Sequence, residues 1–176
     1  MTPVLALDCD GVICDCQTPV HRIASIFTKR PLPPPSEWEH FDFPAAMGLT
    51  EAETKRFALE TKRIEYWPHD IQLYDEAAYQ VKELKKRFEV IFVTAPWKGL
   101  AQWVPARDKL LAPFNCPVLY VPTGEKHRVK ADVFVDDSVH NIEMGGHERD
   151  IIFDRPWNRK SPLPRIRSLL ELIERG

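Results

Sequence analysis

Near its start the chain runs Val4-Leu5-Ala6-Leu7 and then breaks into Asp8-Cys9-Asp10-Gly11, an arrangement that few folds can use. A short apolar run stopped by acids and a glycine reads as a buried strand whose carboxyl end delivers Asp8 and Asp10 to a crevice. Ionised carboxylates beside an apolar core need a cation, a set of hydrogen bonds or a proton. Two of them, two residues apart, therefore point to a metal or to paired acid chemistry. A calcium-binding loop would need further oxygen ligands at fixed spacing and a late glutamate, whereas Val12 and Ile13 follow the glycine here.

Further strands are expected at Phe88–Thr94, Pro117–Val121, Asp132–Asp136 and Asp150–Asp154, each a short apolar run bounded by turn residues. Between them, Ala77, Val81, Leu84 and Phe88 recur at helical spacing in Asp75–Arg87, with Lys85, Lys86 and Arg87 at the end that the helix dipole favours. Helical stretches are also expected over Ala101–Leu111 and from Ser138, with a loop at Pro122–His127. A closing helix is expected from Ser161-Pro162, with Leu163, Ile166, Leu169, Leu170 and Ile173 as its buried stripe. Strands alternating with helices imply an α/β fold with a doubly wound, mostly parallel sheet.

The interval between the first strand and Phe88 is more than twice the roughly 30 residues that a strand-helix-strand crossover needs. A small helical cap over residues 16–74 is therefore expected after the first strand, leaving 1–15 and 75–176 as the core. Its parts are a helix at Pro19–Thr28, a stiff loop at Pro31–Pro35, an aromatic cluster of Trp38, His40, Phe41 and Phe43, and a helix at Thr50–Tyr66. Thr50-Glu-Ala-Glu53 has the form of a capping box, in which threonine and glutamate satisfy each other's free backbone amides.

A chain of 176 residues fits one domain, or one core with a modest insertion. Lys+Arg 24 against Asp+Glu 26 gives a net charge of −2, no field for a polymeric nucleic acid, although a single nucleotide stays compatible. The first strand begins within three residues of Met1 and no long apolar run occurs, so the expectation is a cytoplasmic protein without a leader or membrane segment. Cys9, Cys14, Cys16 and Cys116 lack the spacing of a disulfide scaffold or of paired CxxC knuckles. They read as reduced thiols, with zinc on Cys14, Cys16 and a histidine as the alternative. The histidines show no metal-ligand spacing.

In a doubly wound sheet, ligands bind beyond the carboxyl ends of the strands. Those ends carry Asp8 and Asp10, Thr94, and Asp136 with Asp137, while Lys126 lies in the loop before the last pair. Carboxylates, a hydroxyl and an ammonium at one edge are the inventory for handling a phosphoryl group with a hard cation. Magnesium accepts oxygen ligands, lysine offers a compact charge, threonine donates a hydrogen bond, and a carboxylate can attack phosphorus. Lys130 competes with Lys126 for the lysine role but immediately precedes its strand. Trp38, Phe41, Phe43 and Trp67 could stack on a base or simply form the cap core, and Trp97 lies close to Thr94.

These residues resemble the haloacid dehalogenase-like (HAD) phosphatases across essentially the whole chain. Asp8-Cys-Asp10-Gly-Val is similar to the family's first motif, Val93-Thr94-Ala95 to its second, Lys126 to its third and Val135-Asp136-Asp137-Ser to its fourth, in the family's order. Within the family, DCDGVICD, the insertion and the ten-residue step from Lys126 to Asp136 look most like the 5'(3')-deoxyribonucleotidase group. The resemblance implies a 5'-nucleotidase whose nucleophile is Asp8 and whose proton carrier is Asp10. It also implies phosphate held by Thr94, the amide of Ala95 and Lys126. Mg²⁺ would be held by Asp8, the carbonyl of Asp10 and Asp136, with Asp137 in an outer position. Two departures stand out: Cys16 replaces an aromatic and Ala95 replaces a serine. Alternatives are a phosphatase for a sugar phosphate or a polynucleotide end, and a phosphoaspartate switch or binding module that does not hydrolyse.

Overall fold

The computed structural model describes residues 1–174; the last two residues of the expected core lie outside them. In chain order the elements are β1 (Val4–Asp8), β2 (Cys14–Asp15), α1 (Gln17–Thr28), α2 (Phe43–Ala46), α3 (Glu51–Arg63), β3 (Gln72–Leu73), α4 (Ala77–Leu84) and β4 (Glu89–Thr94). They continue with α5 (Trp103–Leu111), β5 (Val118–Tyr120), β6 (Val133–Asp136), α6 (Val139–Glu143), β7 (Arg149–Phe153), β8 (Arg165–Ile166) and α7 (Glu171–Glu174). Six strands form one sheet in the order β5-β4-β1-β6-β7-β8, and every pair is parallel.

The alternation of side chains along each strand divides the core between the two faces of this sheet. Leu5 and Leu7, Phe92, Val133 and Val135, and Ile151 and Phe153 belong to the larger cluster, shared with Val81 and Leu84 of α4 and Trp103 and Leu111 of α5. The same cluster takes in Val20 and Ile23 of α1 and Phe57 of α3. Ala6, Ile91, Val93, Phe134 and Ile152 form the smaller cluster with Ile142 of α6. Parallel strands buried on both faces are why β1, β4 and β6 read as almost unbroken apolar runs.

Register brings the strand ends together. Leu7 of β1 is level with Val135 of β6, and Asp8 with Val93 of β4, so Asp8, Thr94 and Asp136 emerge at one edge. That edge is where the chain order reverses about β1, the place at which a crevice opens in such sheets.

After β1 the chain turns tightly, with the amides of Val12, Ile13 and Cys14 all directed at the carbonyl of Cys9. β2 then pairs antiparallel with β3, Cys14 opposite Leu73, joining the two ends of the helical segment, a ribbon too short to leave a sequence signal. α3 carries the expected capping box: the Glu53 amide donates to Thr50 Oγ1 and the Thr50 amide to Glu53 Oε2.

The closing helix is the main correction. Residues 165–166 form β8 instead, parallel to β7, and helix is confined to Glu171–Glu174 within the described residues. Pro164 biases Leu163 away from helical backbone, and β7 offers free hydrogen-bonding groups that β8 satisfies. The supposed stripe divides between the faces of the sheet: Leu163 packs on the smaller cluster, Ile166 and Leu169 in the larger. One helix face could not reach both.

Candidate active site

Asp8 is buried at the end of β1, where its Oδ1 accepts from the Cys9 amide at 2.6 Å and from Lys126 Nζ at 2.7 Å. Lys126 Nζ also reaches Asp136 Oδ2 at 2.9 Å. Asp136 is held further by the Ser138 amide at 2.8 Å and by Asn141 Nδ2 at 2.9 Å. Asp137 stands beside them: one carboxylate oxygen each from Asp8, Asp136 and Asp137 lie within 4.8 Å of one another. Its own Oδ2 accepts from Trp157 Nε1 at 3.1 Å, and Asn158 Nδ2 donates to its carbonyl at 2.9 Å.

Three buried carboxylates around one ammonium leave negative charge in excess. Burial, reinforced by Asp136, pushes Asp8 up to about 8, against the opposing pull of Lys126. Burial followed by the Asp136 and Asp8 charges also drives Asp137 well above the carboxylate range. Burial disfavours the charge on Lys126, but Asp136 and Asp8 together more than offset it and raise its pKa. The cluster therefore holds protons unless a cation relieves it. Its hard oxygen donors suit a small divalent ion such as Mg²⁺.

Asp10, two residues on, is turned elsewhere. Its Oδ1 accepts from Arg107 Nη2 at 2.6 Å, and Arg107 Nη1 contacts Cys14 Sγ at 2.7 Å. Thr94, which ends β4, is fully buried, and its Oγ1 has no hydrogen-bond partner among the described residues. Lys130 is exposed and Lys126 buried, so the cluster is built on Lys126. Burial pushes the thiols of Cys9, Cys14 and Cys16 upward, and all four cysteines are free of disulfides.

The edge opens into a cavity of about 500 Å³ lined by Asp8, Asp10, Ala95, Lys126 and Asp137, together with aromatic rings. Trp38, Phe41, Phe43, Trp97 and Trp157 contribute to its wall. Phe43 and Trp97 stack with centroids 5.7 Å apart and planes 9° from parallel. Trp67 does not line it: the indole is buried, edge-on to Trp97 and Trp103, with Nε1 bonded to the Thr61 carbonyl. It supports the wall from behind, which corrects its expected place in the pocket.

Arg107, Asn141 and Trp157 were not singled out from the sequence. Arg107 had a signal, since it sits between Trp103 and Leu111 at four-residue spacing on the inward face of α5. Asn141 had a weaker one, three residues after the Ser138 N-cap that accepts from its amide. Trp157 had none, being carried in a proline-marked loop.

Gly11 is a sensitive point. Its φ of +78° is left-handed, and a Cβ there would stand 2.0 Å from Asp137 Oδ2. Gly11→Ala is expected to displace Asp137 and destabilise the fold by about 1–3 kcal/mol, which thermal unfolding of the metal-free protein reads directly.

This constellation is an acid-rich site at one edge of a Rossmann-like sheet, and the chain has the fold of the HAD-like hydrolases. No protein-family model matches it. Its structure superposes on a protein from Lactobacillus delbrueckii subsp. bulgaricus described as a phosphoglycolate phosphatase (TM-score 0.68, 16% identity, 99% of this chain and 98% of that one). It also superposes on a magnesium-bound HAD-hydrolase from Bacillus subtilis (TM-score 0.62, 18% identity, 98% and 97% covered). In sequence, 84 residues are 33% identical to the 5'(3')-deoxyribonucleotidase of Bacillus subtilis strain 168, covering 44% of this chain and 46% of that protein. The match thus spans about half the length of the curated relative.

Proposed function

We propose that the protein is a Mg²⁺-dependent phosphomonoester hydrolase that works through an aspartyl-phosphate, with nucleoside or deoxynucleoside monophosphates as its substrates. The observation that carries this reading is the state of Asp8. One oxygen is fixed by an amide and an ammonium, while Oδ2 has no hydrogen-bond partner among the described residues and the side chain borders the cavity.

Oδ2 of Asp8 would attack phosphorus as the bond from phosphorus to the ester oxygen breaks, and Asp10 would give its proton to that leaving oxygen. Water then attacks the phosphorus of the aspartyl-phosphate. Asp10 takes the proton, the bond to Asp8 breaks, and inorganic phosphate leaves with the carboxylate restored. Thr94 Oγ1, the Ala95 amide and Lys126 would hold the phosphoryl oxygens where charge gathers. Asp8, Asp136 and the Asp10 carbonyl would hold Mg²⁺, with Asp137 beside them; the ion supplies positive charge to the transferring group. Residues 16–74 would act as the cap, and their aromatic rings with Trp97 and Trp157 would receive the base.

The support for a nucleotide is the ring-lined cavity and the partial likeness to a deoxyribonucleotidase. A panel of phosphomonoesters assayed with Mg²⁺ and with a chelator tests it. Turnover of nucleotides that the chelator abolishes is the expected result, and turnover of sugar phosphates with none of any nucleotide would overturn the substrate. Trp97→Ala should raise KM for the preferred nucleotide by about 5- to 100-fold, equivalent to ~1–3 kcal/mol of lost stacking. KM for 4-nitrophenyl phosphate should change far less.

A further inference from the structure

Asp8 and Asp10 share one strand end, yet they answer to different cations. Lys126 pairs with Asp8 and Asp136, whereas Asp10 pairs with Arg107, which arrives from α5. The Arg107 side chain is only 1% exposed, its guanidinium lies 4.8 Å over the Trp103 ring, and its Nε has no hydrogen-bond partner among the described residues. Burying a guanidinium is costly unless a well-placed anion compensates it, and here the anion is the second acid of the site. The Asp10 side chain keeps 22% of its surface and borders the cavity. Its Oδ1 is pinned, and Oδ2 carries no hydrogen bond among the described residues.

We infer that Arg107 is a positioning residue of the phosphoryl-transfer site: it turns the Asp10 carboxylate away from the Asp8–Asp136–Asp137 cluster and presents its free oxygen to the leaving group. The inference rests on the aspartyl-phosphate reading given above. Its chemical sense is a division of labour. A carboxylate at the same sheet edge as three clustered acids would compete for a cation bound there, and once engaged it could not carry a proton. Arg107 prevents this with a planar fork, one nitrogen on Asp10 and the other on Cys14 Sγ. A lysine, a point charge on a flexible stem, would hold the acid less firmly.

Dependence on the leaving group tests the role, because 4-nitrophenolate departs without a proton and the alkoxide of a nucleoside does not. The quantity to compare is kcat/KM, which reports the phosphorylation step. Arg107→Gln is expected to lower it for a nucleoside monophosphate by roughly 10- to 100-fold, a share of what a positioned general acid contributes. The loss on 4-nitrophenyl phosphate should stay within about threefold, and Arg107→Lys should recover part of the first loss. In an Asp10→Asn background, Arg107→Gln should add no more than about twofold, since the group it serves is gone. Equal losses on both esters, or an undiminished loss in the Asp10→Asn background, would overturn the role of Arg107. If Arg107→Gln does not fold, Arg107→Lys, which keeps the buried charge, decides by the same comparison of esters. Wild-type protein inert on both esters would instead remove the hydrolase reading.

Discussion

Asp8→Asn is expected to reduce turnover of any phosphomonoester by at least ~10⁴-fold, the scale on which removal of a covalent nucleophile acts. The substitution is nearly isosteric and keeps an acceptor for the Cys9 amide and for Lys126, so the fold should survive it. What it removes is the carboxylate that would attack phosphorus. It also removes one of three crowded negative charges, and Lys126 remains paired with Asp136. The metal-free variant should therefore melt no lower than wild type, which separates loss of chemistry from loss of structure. A rapid quench with ³²P-labelled substrate checks the same point: wild type should yield a hydroxylamine-labile phosphoprotein, and Asp8→Asn should yield none. Turnover of Asp8→Asn within tenfold of wild type would exclude Asp8 as the nucleophile. A phosphoprotein that forms in wild type but persists for hours would favour the phosphoaspartate switch over the hydrolase.

Where the chemistry would collect was legible because it is written at strand ends. β1, β4 and β6 are apolar runs closed by Asp8, Thr94 and Asp136, and parallel register carries all three to one edge. A sheet built this way leaves little freedom in where those residues emerge. The partners that tune them come from elements far away in sequence, and no local pattern announces them. Arg107 reaches Asp10 across 97 positions, and Trp157 reaches Asp137 from a loop 20 residues on. The closing segment failed for a different reason: its apolar residues have helical spacing, but a proline and an unpaired sheet edge outweighed that periodicity. The aromatic set was ambiguous because bulk alone does not say which face of a ring meets solvent. Trp97 borders the cavity and Trp67 does not, although both belong to the same group of touching rings.

Lys126→Met should damage stability as much as activity. Its ammonium stands 2.7 Å from Asp8 and 2.9 Å from Asp136, so a neutral side chain leaves buried carboxylates without their cation. Breaking such a buried pair costs about 3–5 kcal/mol, or roughly 6–20 °C in Tm for a domain of this size. The pH dependence follows from Asp8, whose pKa rises from 3.8 in the unfolded chain to about 8 in the folded one. Across that window the folded protein binds more protons, so the contribution of Asp8 to stability is intact below about pH 4 and is lost as pH rises through about 8. Lys126 is the group that limits this loss, because it pulls Asp8 downward. The gap in Tm between wild type and Lys126→Met should accordingly widen in chelator as pH rises through about 8, where Asp8 ionises in the wild-type protein first. Mg²⁺ would supply at the same cluster the charge that the substitution removes. It should raise the Tm of Lys126→Met more than that of wild type, and increasingly so as pH rises through about 8, where protons compete less for the carboxylates. Turnover should fall by about 10²–10³-fold even with Mg²⁺ present, because the ion cannot also replace the ammonium at the phosphoryl oxygens. An unchanged Tm near pH 8 in chelator would mean that Lys126 does not balance these acids, and the charge assignment at the centre of the site would fail with it.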